Sequence, residues 1–299
     1  MLYWFIGLWR LVLCFIKPTP AYFSSLLSCP QKLIMNKNLI IDVGVHQGED
    51  TEYYLKKGFC VVGIEADPQL YETTKNRLQS YINDGQLQLL NLAIAPQEGE
   101  IIFYTNLNHS VWGTISPDWV KRNEFYGTKS LEITVKSAKF ENILQEFGIP
   151  YYLKVDIEGA DLLCVKALRQ FDSKPKFISI ESDKTSWNNL LKEFKILKEL
   201  GYQKFKVINQ RKISQQVCPF PEKEGKYFEH QFEFGSSGLF GEETPGKWLS
   251  ETQAINLYKR IFLYYQIFRM NGFIYKVNLG KKLLEKFQVI EPWYDTHAS

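Results

Sequence analysis

The sequence has 299 residues, a net charge of +3 and an apolar content of 45%, which describe a globular chain long enough to bury a substantial core. The charge is small and evenly spread, so nucleic acid is not an expected partner, because a nucleic-acid-binding domain carries a clustered basic face. The five cysteines are widely spaced and never form a C-x-x-C pair, so neither a zinc site nor a disulfide framework is indicated, and a cytoplasmic protein with reduced thiols is expected.

Residues 1–34 differ from the rest of the chain. The first 16 residues are almost wholly apolar apart from Arg10, but they fall short of the ~20 residues that a helix needs to span a bilayer. The marks of a cleaved signal peptide are not evident. Three interpretations stay open: a membrane-associating anchor, a helix packed on the domain, or an upstream extension outside the natural protein. We favour the third, because an anchor should have a polar face rich in Lys or Arg. Membrane association is expected only through this segment.

Regular alternation of strands and helices begins at Met35. An apolar strand at residues 38–42 passes into a turn that holds Gly44 and Gly48, and a helix over about residues 50–57 follows. Glycines in such a turn let backbone approach a ligand, and the helix N-terminus adds free N–H groups. The turn reads D-x-G-x-x-x-G and not G-x-G-x-x-G, which favours a ligand without a diphosphate, such as S-adenosylmethionine. An ordinary turn without a ligand is the alternative.

A second apolar strand, residues 59–65, ends in Glu65. Asp67 and Pro68 are a typical N-cap and first-turn proline, so a helix should follow. Glu65 lies about twenty residues beyond the glycine turn, where doubly wound folds place an acidic residue that accepts hydrogen bonds from ribose hydroxyls. The alternative is a solvated carboxylate, but the order of loop, strand and helix favours a ligand. A third strand is predicted at residues 87–91.

Periodicity weakens between residues 96 and 134. Residues 101–104 and 131–135 are predicted as short strands, and the loop between them contains His109. A long loop beside a cofactor site could be functional or only a connection.

The segment at residues 151–161 repeats the opening pattern. An apolar strand is followed by Asp156 and Glu158, and then by a glycine and a helix. Acidic residues at this strand end should point into the crevice above the sheet, where ligands bind in open α/β folds. Further strands are predicted at residues 176–181 and 202–208. The order of these units predicts an α/β fold with a mostly parallel sheet and helices on both faces.

After residue 209 the alternation stops. Residues 227–234 alternate like a strand, and residues 235–241 form a flexible loop with hydroxyl groups. Ser250 and Gln253 resemble a capping box before an amphipathic helix at about residues 251–270. We therefore divide the chain into three parts: an N-terminal extension (1–34), a main domain (35–246) and a C-terminal helical extension (247–299).

Two segments carry a resemblance to a known family. Ile41-Asp-Val-Gly-Val-His-Gln-Gly48 and Leu153-Lys-Val-Asp-Ile-Glu-Gly-Ala-Asp161 resemble the signature segments of the FkbM family of S-adenosylmethionine-dependent methyltransferases, and the similarity extends over roughly residues 36–240. The resemblance implies a class I, Rossmann-like fold with a seven-stranded sheet, and O-methylation of a hydroxyl, often on a sugar or natural product. The family usually has Asn at the position of His46 and Glu at that of Asp161.

The resemblance also implies roles for single residues. Asp42, Gly44 and Gly48 would hold the methionine part of the cofactor, and Glu65 its ribose. The full set of expected cofactor-binding residues lies on the glycine loop and at the ends of the strands: Asp42, Gly44, His46, Gly48, Thr51, Glu65, Asp67, Asn91, Ala93 and Asp156.

An alcohol acceptor needs a base that removes its proton. The candidates are Asp156, Glu158 and His109, although one of the two acids could instead cap the next helix and the other orient the cofactor amine. Two carboxylates at one strand end could also hold a divalent metal if Glu181 or Asp183 supplied a third ligand. We expect no metal.

Two other functions remain as alternatives. A nicotinamide-dependent oxidoreductase shares the fold class, but the middle glycine of its loop is missing and no Tyr-x-x-x-Lys pair lies in a suitable helix. A non-catalytic cofactor-binding module is the other, and the set of Asp42, Glu65 and Asp156 argues against it. The expected partner is a small-molecule or glycan acceptor, held by the loops at residues 106–126 and 210–246.

Overall fold

The structure, a computed structural model, describes residues 35–183, 186–233, 235–268 and 293–299. Residues 1–34 lie outside this part of the chain, and so do our interpretations of them. No helix among the described residues is long and apolar enough to cross a membrane.

The described residues form strands that belong to two sheets. In chain order the strands are β1 (Met35–Val43), β2 (Cys60–Glu65), β3 (Leu87–Asn91), β4 (Ala93–Ile94), β5 (Gly99–Asn106), β6 (Ser130–Ala138), β7 (Ile149–Val155), β8 (Phe177–Glu181), β9 (Phe205–Asn209) and β10 (Tyr294–Ala298). The main sheet has seven strands in the order β3-β2-β1-β7-β8-β10-β9, and β4, β6 and β5 form a smaller sheet. The first five strands of the main sheet pair in parallel, whereas β10 is antiparallel to both of its neighbours. The mostly parallel α/β sheet predicted from the sequence is confirmed.

The helices connect or flank these strands. They are α1 (Glu49–Lys56), α2 (Pro68–Arg77), α3 (Gln79–Asn83), α4 (Pro117–Phe125), α5 (Phe140–Phe147), α6 (Asp161–Ala167), α7 (Trp187–Glu199) and α8 (Glu251–Phe268). Asp67 caps α2 and Pro68 occupies its first turn, as predicted. Ser250 and Gln253 exchange the two hydrogen bonds of a capping box before α8, at 2.9 and 3.3 Å.

Both faces of the main sheet are covered, but by different kinds of structure. Helices α5 to α8 bury one face in a continuous core that includes Val155 and Phe194. The other face meets Tyr53 and Tyr54 of α1 and an irregular stretch that contributes Phe240. Residues 39–43 of β1 and most of β7 are buried, and these stretches are mainly apolar, with Asp42 and Lys154 as the charged exceptions.

The prediction for residues 247–299 was wrong in one respect. Helix α8 is present, but Tyr294–Ala298 is β10, which lies inside the sheet between β8 and β9. Its five residues are mostly polar, so periodicity gave no strand signal. The backbone of this strand pairs on both sides, and the Thr296 hydroxyl lies 2.6 Å from Ser182 Oγ and 2.8 Å from the hydroxyl of Tyr258. His297 Nε2, by contrast, is buried without a hydrogen-bond partner among the described residues.

The strand predicted at residues 227–234 is also not observed over residues 227–233. The alternation there is real, since Phe232 packs on Tyr53 with ring centroids 4.9 Å apart and His230 lies 5.1 Å from the same ring. Alternate side chains therefore face the core, but no strand among the described residues pairs with this backbone.

Candidate active site

A cavity of about 620 Å³ lies at the carboxyl ends of β1, β2, β7 and β8. Its other walls come from the chain between β5 and α4, from residues 235–237, and from Trp293 and Asp295. Open α/β sheets bind ligands at this edge, where the strand order reverses, as it does here between β1 and β7. The volume suits a small-molecule site.

The first glycine of the predicted loop, Gly44, allows the backbones of the two motifs to pack closely against each other. Gly44 has a φ of +90°, and a Cβ there would lie 1.9 Å from the carbonyl oxygen of Asp156. The amide of Asp156 in turn donates to the carbonyl of Val43 at 2.9 Å. Gly48, with φ +85°, is the N-cap of α1 and does not line the cavity. These glycines let the loop pack on the end of β7 and turn into α1.

His46 adopts a left-handed backbone conformation, with φ +56°. Asn and His are among the residues that enter this region most readily, which explains how His occupies a position where Asn is usual. Its ring reaches two partners, Ser110 Oγ at 2.8 Å and Glu49 Oε1 at 3.3 Å. His46 therefore links the glycine loop to the chain that covers the cavity.

Glu65 is buried at the cavity wall, at the end of β2. Its two carboxylate oxygens accept hydrogen bonds from the backbone amides of His46 and Asp67, each at 2.8 Å. Burial raises the pKa of Glu65 to about 7, although the two amide donors lower it. The residue thus supports the glycine loop as well as facing the space where ribose hydroxyls were expected.

Asp67 and Asn91 support this turn and do not line the cavity. The Asn91 side-chain amide donates to the carbonyl of Glu65 at 2.9 Å. Asp67 caps α2 and accepts a hydrogen bond from Thr105 Oγ1 at 2.8 Å. Ala93 does line the cavity, within an apolar part of its wall.

A chain of buried charges lies beneath the glycine loop. Lys154 Nζ is 3.2 Å from Asp42 Oδ1 and 3.8 Å from Asp50 Oδ2, and Thr51 Oγ1 donates to Asp42 Oδ2 at 2.6 Å. Burial lowers the pKa of Lys154, but these carboxylates outweigh it and raise the pKa well above its ordinary value. Burial raises the pKa of Asp50 to about 6, and its carboxylate accepts from the amide of Ser237 at 2.8 Å. Asp42 and Thr51 lie below the loop and do not line the cavity.

The acids of the second motif have different surroundings. Glu158 is buried with a φ of +46°, and its carboxylate is 3.2 Å from Arg122 Nη2. Its carbonyl accepts from Thr114 Oγ1 at 2.7 Å. Asp156 lines the cavity beside Glu181 and Asp295. Glu158 is therefore part of an ion pair with α4, whereas Asp156 belongs to a group of carboxyl groups.

Asp161, where Glu is usual, closes the turn of the second motif. Its carboxylate accepts from the amides of Ile157 at 3.3 Å and Gly159 at 3.1 Å. Burial raises the pKa of Asp161 to about 7, and nearby Asp156 and Glu181 add to the shift.

The third catalytic candidate, His109, lines the cavity at an exposed position, and its ring packs on Trp112 with centroids 4.6 Å apart. All three catalytic candidates thus reach the cavity. Among the described residues, no group of three or more His, Cys, Asp or Glu is arranged to hold a metal ion.

Residues 42–204 match the family model of the methyltransferase FkbM domain, which covers more than half of the chain. The chain belongs to the FkbM methyltransferase family. The matched range contains all of the two sequence motifs except Ile41, and most of the cavity wall. The strand order of the sheet is in accord with the class I methyltransferase fold that the resemblance implied. The family implies S-adenosylmethionine as the cofactor.

Solved structures with a similar fold include other methyltransferases. One is the precorrin-6y C5,15-methyltransferase of Geobacter metallireducens GS-15, at 11% identity over 89% of this chain and 81% of that chain, with a TM-score of 0.37. Another is phosphoethanolamine N-methyltransferase 2 of Haemonchus contortus in complex with S-adenosyl-L-methionine, at 12% identity over 89% of this chain and 49% of that chain, with a TM-score of 0.34. A comparison with curated proteins finds no match.

Several cavity residues of this FkbM protein were missed by sequence reasoning. Lys154 had a signal, because a lysine inside an apolar strand must be paired when it is buried. Arg122 and Ser237 lie in the two loops that were expected to hold the acceptor, but nothing in the sequence singled them out within those loops. Asp295 had no signal, since it lies in a segment of weak periodicity and reaches the cavity through long-range contacts.

Proposed function

We propose that the protein is an S-adenosylmethionine-dependent O-methyltransferase that acts on a hydroxyl of a sugar or another small metabolite. The observation that carries the proposal is the continuity of the cavity, which runs from Glu65 past the glycine loop to Asp156, Glu181 and Asp295. A carboxylate suited to ribose and acids suited to an acceptor hydroxyl therefore share one space. The family match supplies the reaction class, which is methyl transfer.

The cavity wall fits the chemistry of this cofactor. Ala93, Ile94 and Phe103 give an apolar surface near Glu65 that suits an adenine ring. The cavity wall has more carboxyl groups than cationic side chains. The cationic side chains are Lys154 and Arg122, and the carboxyl groups are those of Glu49, Asp50, Glu65, Asp156, Glu158, Glu181 and Asp295. Such a wall favours a ligand that carries positive charge. When bound, the cofactor supplies the methyl group on a positively charged sulfur.

Asp156, Glu158 and His109 have different roles in the proposed reaction. Methyl transfer is an in-line displacement, so holding the acceptor in line contributes much of the acceleration, and a base assists by taking the hydroxyl proton. We assign the base to Asp156, which lines the cavity at the end of β7. Glu158 is paired with Arg122 and holds the covering chain in place, and His109 lies at the exposed rim, where it contacts the acceptor.

Calorimetric titration of the full chain with S-adenosylhomocysteine and, separately, with NAD tests the proposal. Binding of S-adenosylhomocysteine without binding of NAD is the expected result. Binding of NAD alone would replace the methyltransfer proposal with the oxidoreductase alternative, and binding of neither would leave the domain without its proposed cofactor.

A further inference from the structure

A surface at the amino ends of the parallel strands lies at the opposite edge of the sheet from the candidate active site. A pocket of about 280 Å³ in this surface is lined by Lys37 of β1, by residues 57–59 ahead of β2, and by Tyr151 near the start of β7. These strands pair in parallel, so their amino ends meet at one edge. We call this face the basal surface and define it by the exposed side chains of Lys37, Lys176, Phe220, Lys223, Lys226 and Tyr227.

Two aromatic side chains of the basal surface are exposed although they pack on each other. Phe220 is 80% exposed and Tyr227 is 43% exposed, and their ring centroids lie 5.4 Å apart in an edge-to-face arrangement. The backbone beside them is fastened to the sheet, because the amide of Lys226 donates to the carbonyl of Lys57 at 2.8 Å. Single exposed apolar side chains are ordinary. A packed pair of rings offers a partner a larger apolar area, and aromatic rings concentrate at membrane–water interfaces.

Lysines surround this aromatic pair. Lys223 and Lys226 lie between the two rings in sequence. Lys37 lines the same pocket as Lys223, and Lys176 Nζ donates to the hydroxyl of Tyr151 on the pocket wall at 3.1 Å. All four lysines are exposed, so their ammonium groups are accessible to an anionic partner.

The acids beside these lysines do not cancel their charge. Glu224 is buried, and its carboxylate accepts from the hydroxyl of Tyr151 and from the amide of Glu242, each at 2.8 Å. Glu222 and Glu242 are exposed, and Glu242 also accepts from the indole nitrogen of Trp248 at 2.9 Å. The four exposed lysines exceed these two exposed acids, which leaves the basal surface basic.

The path of the chain leads to the same side. Met35 begins β1 and lies two residues before Lys37, so residues 1–34 join the described structure at the basal surface. Residues 1–16 are almost wholly apolar, and a membrane-associating anchor is one of the three interpretations of that segment. An anchor there would hold the basal surface against a bilayer. The candidate active site, with its excess of carboxyl groups, would then face water.

We propose that the basal surface binds an anionic lipid bilayer. The rings of Phe220 and Tyr227 enter the headgroup layer, and the lysines lie against the lipid phosphates and carboxylates. A soluble polyanion could pair with the lysines but would leave the rings in water, whereas a bilayer accommodates both kinds of group. Because the candidate active site lies at the other edge of the sheet, bilayer binding should leave the affinity for S-adenosylhomocysteine unchanged.

Flotation of the full chain with lipid vesicles tests the proposal. One set of vesicles is phosphatidylcholine, and the other contains one-third phosphatidylserine. We expect at least about tenfold stronger binding to the anionic vesicles at about 0.1 M salt, and loss of this preference at about 0.5 M salt. Equal binding to the two kinds of vesicle, or binding to neither, overturns the proposal.

Hydrogen exchange followed by mass spectrometry distinguishes the basal surface from residues 1–34, because it reports on each segment separately. On anionic vesicles, exchange should slow in residues 217–228 and stay unchanged in residues 106–128, which cover the candidate active site. Bound protein without slower exchange in residues 217–228 would contradict the proposal. Equal slowing by soluble inositol hexakisphosphate would replace the bilayer with a free-phosphate site.

Variants connect vesicle binding to these side chains. The double variant Lys223→Gln and Lys226→Gln should weaken binding to anionic vesicles about 25-fold, because each lysine near such a surface contributes about fivefold. Phe220→Ser should weaken it about fivefold, since it removes one of the interfacial rings. Tm should change little, because all three side chains are exposed.

Matched controls lie at the opposite edge of the sheet. Lys121→Gln with Lys129→Gln removes two exposed lysines, and Phe125→Ser removes an aromatic side chain that is 65% exposed. These controls should bind vesicles as the unmodified chain does. Equal weakening in the controls and the test variants, or unchanged binding in the test variants, would overturn the assignment of the bilayer to the basal surface.

Discussion

Two stretches of chain cover the cavity, and they are attached to the main sheet in different ways. The first, here called the wrap, comprises residues 210–233 and 235–246. Phe240 of the wrap is fully buried and stacks on Tyr152, with centroids 4.9 Å apart. The buried pair of Lys57 Nζ and Glu243 Oε2, 2.8 Å apart, ties the wrap to α1. The wrap is thus part of one of the two main cores.

The second stretch, here called the insert, comprises residues 99–138. Its own core is a small cluster with Phe103 and Val135. Large apolar side chains are exposed in both stretches: Ile102, Leu107, Val111, Phe125 and Leu131 in the insert, and Val217, Phe220 and Tyr227 in the wrap. The insert is joined to the rest of the structure by polar contacts of Arg122 with Glu158, of Ser110 with His46 and of Thr114 with the carbonyl of Glu158, and by the pairing of β6 with β4.

The comparison indicates that the wrap, which belongs to a main core, forms a rigid part of the cavity wall, whereas the insert forms a part that can move more easily. Regions with little buried apolar area open at lower free energy than regions that share the main core. We therefore expect ligands to enter on the side of the insert, while the part of the cavity wall that the wrap forms keeps its structure.

The largest effect is expected when the wrap loses its buried ion pair. Glu243→Gln leaves Lys57 as a buried charge without its partner, which should lower the free energy of unfolding by about 3–5 kcal/mol. Urea denaturation measures this. The control is Glu199→Gln, which removes the exposed pair with Arg169 and should cost at most about 1 kcal/mol. Equal losses in the two variants would contradict a special role for the wrap.

Glu65→Ala tests the cavity wall at the end of β2, which belongs neither to the wrap nor to the insert. The variant removes the acceptor expected for ribose and frees the amides of His46 and Asp67, so affinity for S-adenosylhomocysteine should fall about ten- to a hundredfold. Calorimetry gives the affinity. Glu72→Ala, on the exposed surface of α2, should bind as the unmodified chain does, and an unchanged affinity in a folded Glu65→Ala protein would argue against the ribose role.

The same residue predicts a pH dependence. Because the pKa of Glu65 is raised from 4.5 to about 7 in the folded protein, the bound proton stabilises the fold fully below about pH 4.5, and this stability is lost as pH rises through 7. Asp50 and Asp161, raised to about 6 and 7, act in the same direction. Ribose hydroxyls donate best to the ionised carboxylate, so affinity for S-adenosylhomocysteine should rise about tenfold from pH 6 to pH 8. Calorimetry at both pH values should show no such rise in Glu65→Ala.

Arg122→Leu should loosen the insert without unfolding the protein. The guanidinium lies 3.6 Å from the centroid of the Trp119 ring and pairs with Glu158, so the variant should cost the docked insert about 1–2 kcal/mol. Hydrogen exchange followed by mass spectrometry should accelerate in residues 106–128, with little change elsewhere. Lys121→Leu, at the neighbouring exposed position, serves as the control. Faster exchange across the whole protein would show that the insert belongs to the main cooperative unit.

The smallest effect is expected for His46→Asn. Asn keeps a residue that tolerates the left-handed conformation, and the partly exposed contacts of the His46 ring with Ser110 and Glu49 are lost, so stability should change by about 1 kcal/mol or less. His46→Val should cost clearly more, because a β-branched residue is strained at φ +56°. Thermal unfolding of both variants measures the difference, and similar Tm values for Asn and Val would contradict the backbone explanation.

The central features of the site could be predicted from the sequence by itself. The glycine loop after β1, Glu65 at the end of β2, and Asp156 and Glu158 after β7 all lie in short strand–turn–helix units. Their positions follow from residues close in sequence, because a parallel strand must end at the same edge of the sheet as its neighbours. The two motifs and their spacing were also enough to indicate the family.

Only the tertiary structure decided which residues meet across the cavity. Strand β10 has five mostly polar residues, and its place between β8 and β9 depends on partners from distant parts of the chain. Likewise, the pairing of Asp50 with the amide of Ser237, and of Arg122 with Glu158, joins residues far apart in sequence. Hydrophobic periodicity reports local structure, whereas such contacts depend on how separate elements pack, which is why the individual contacts could not be predicted from the sequence.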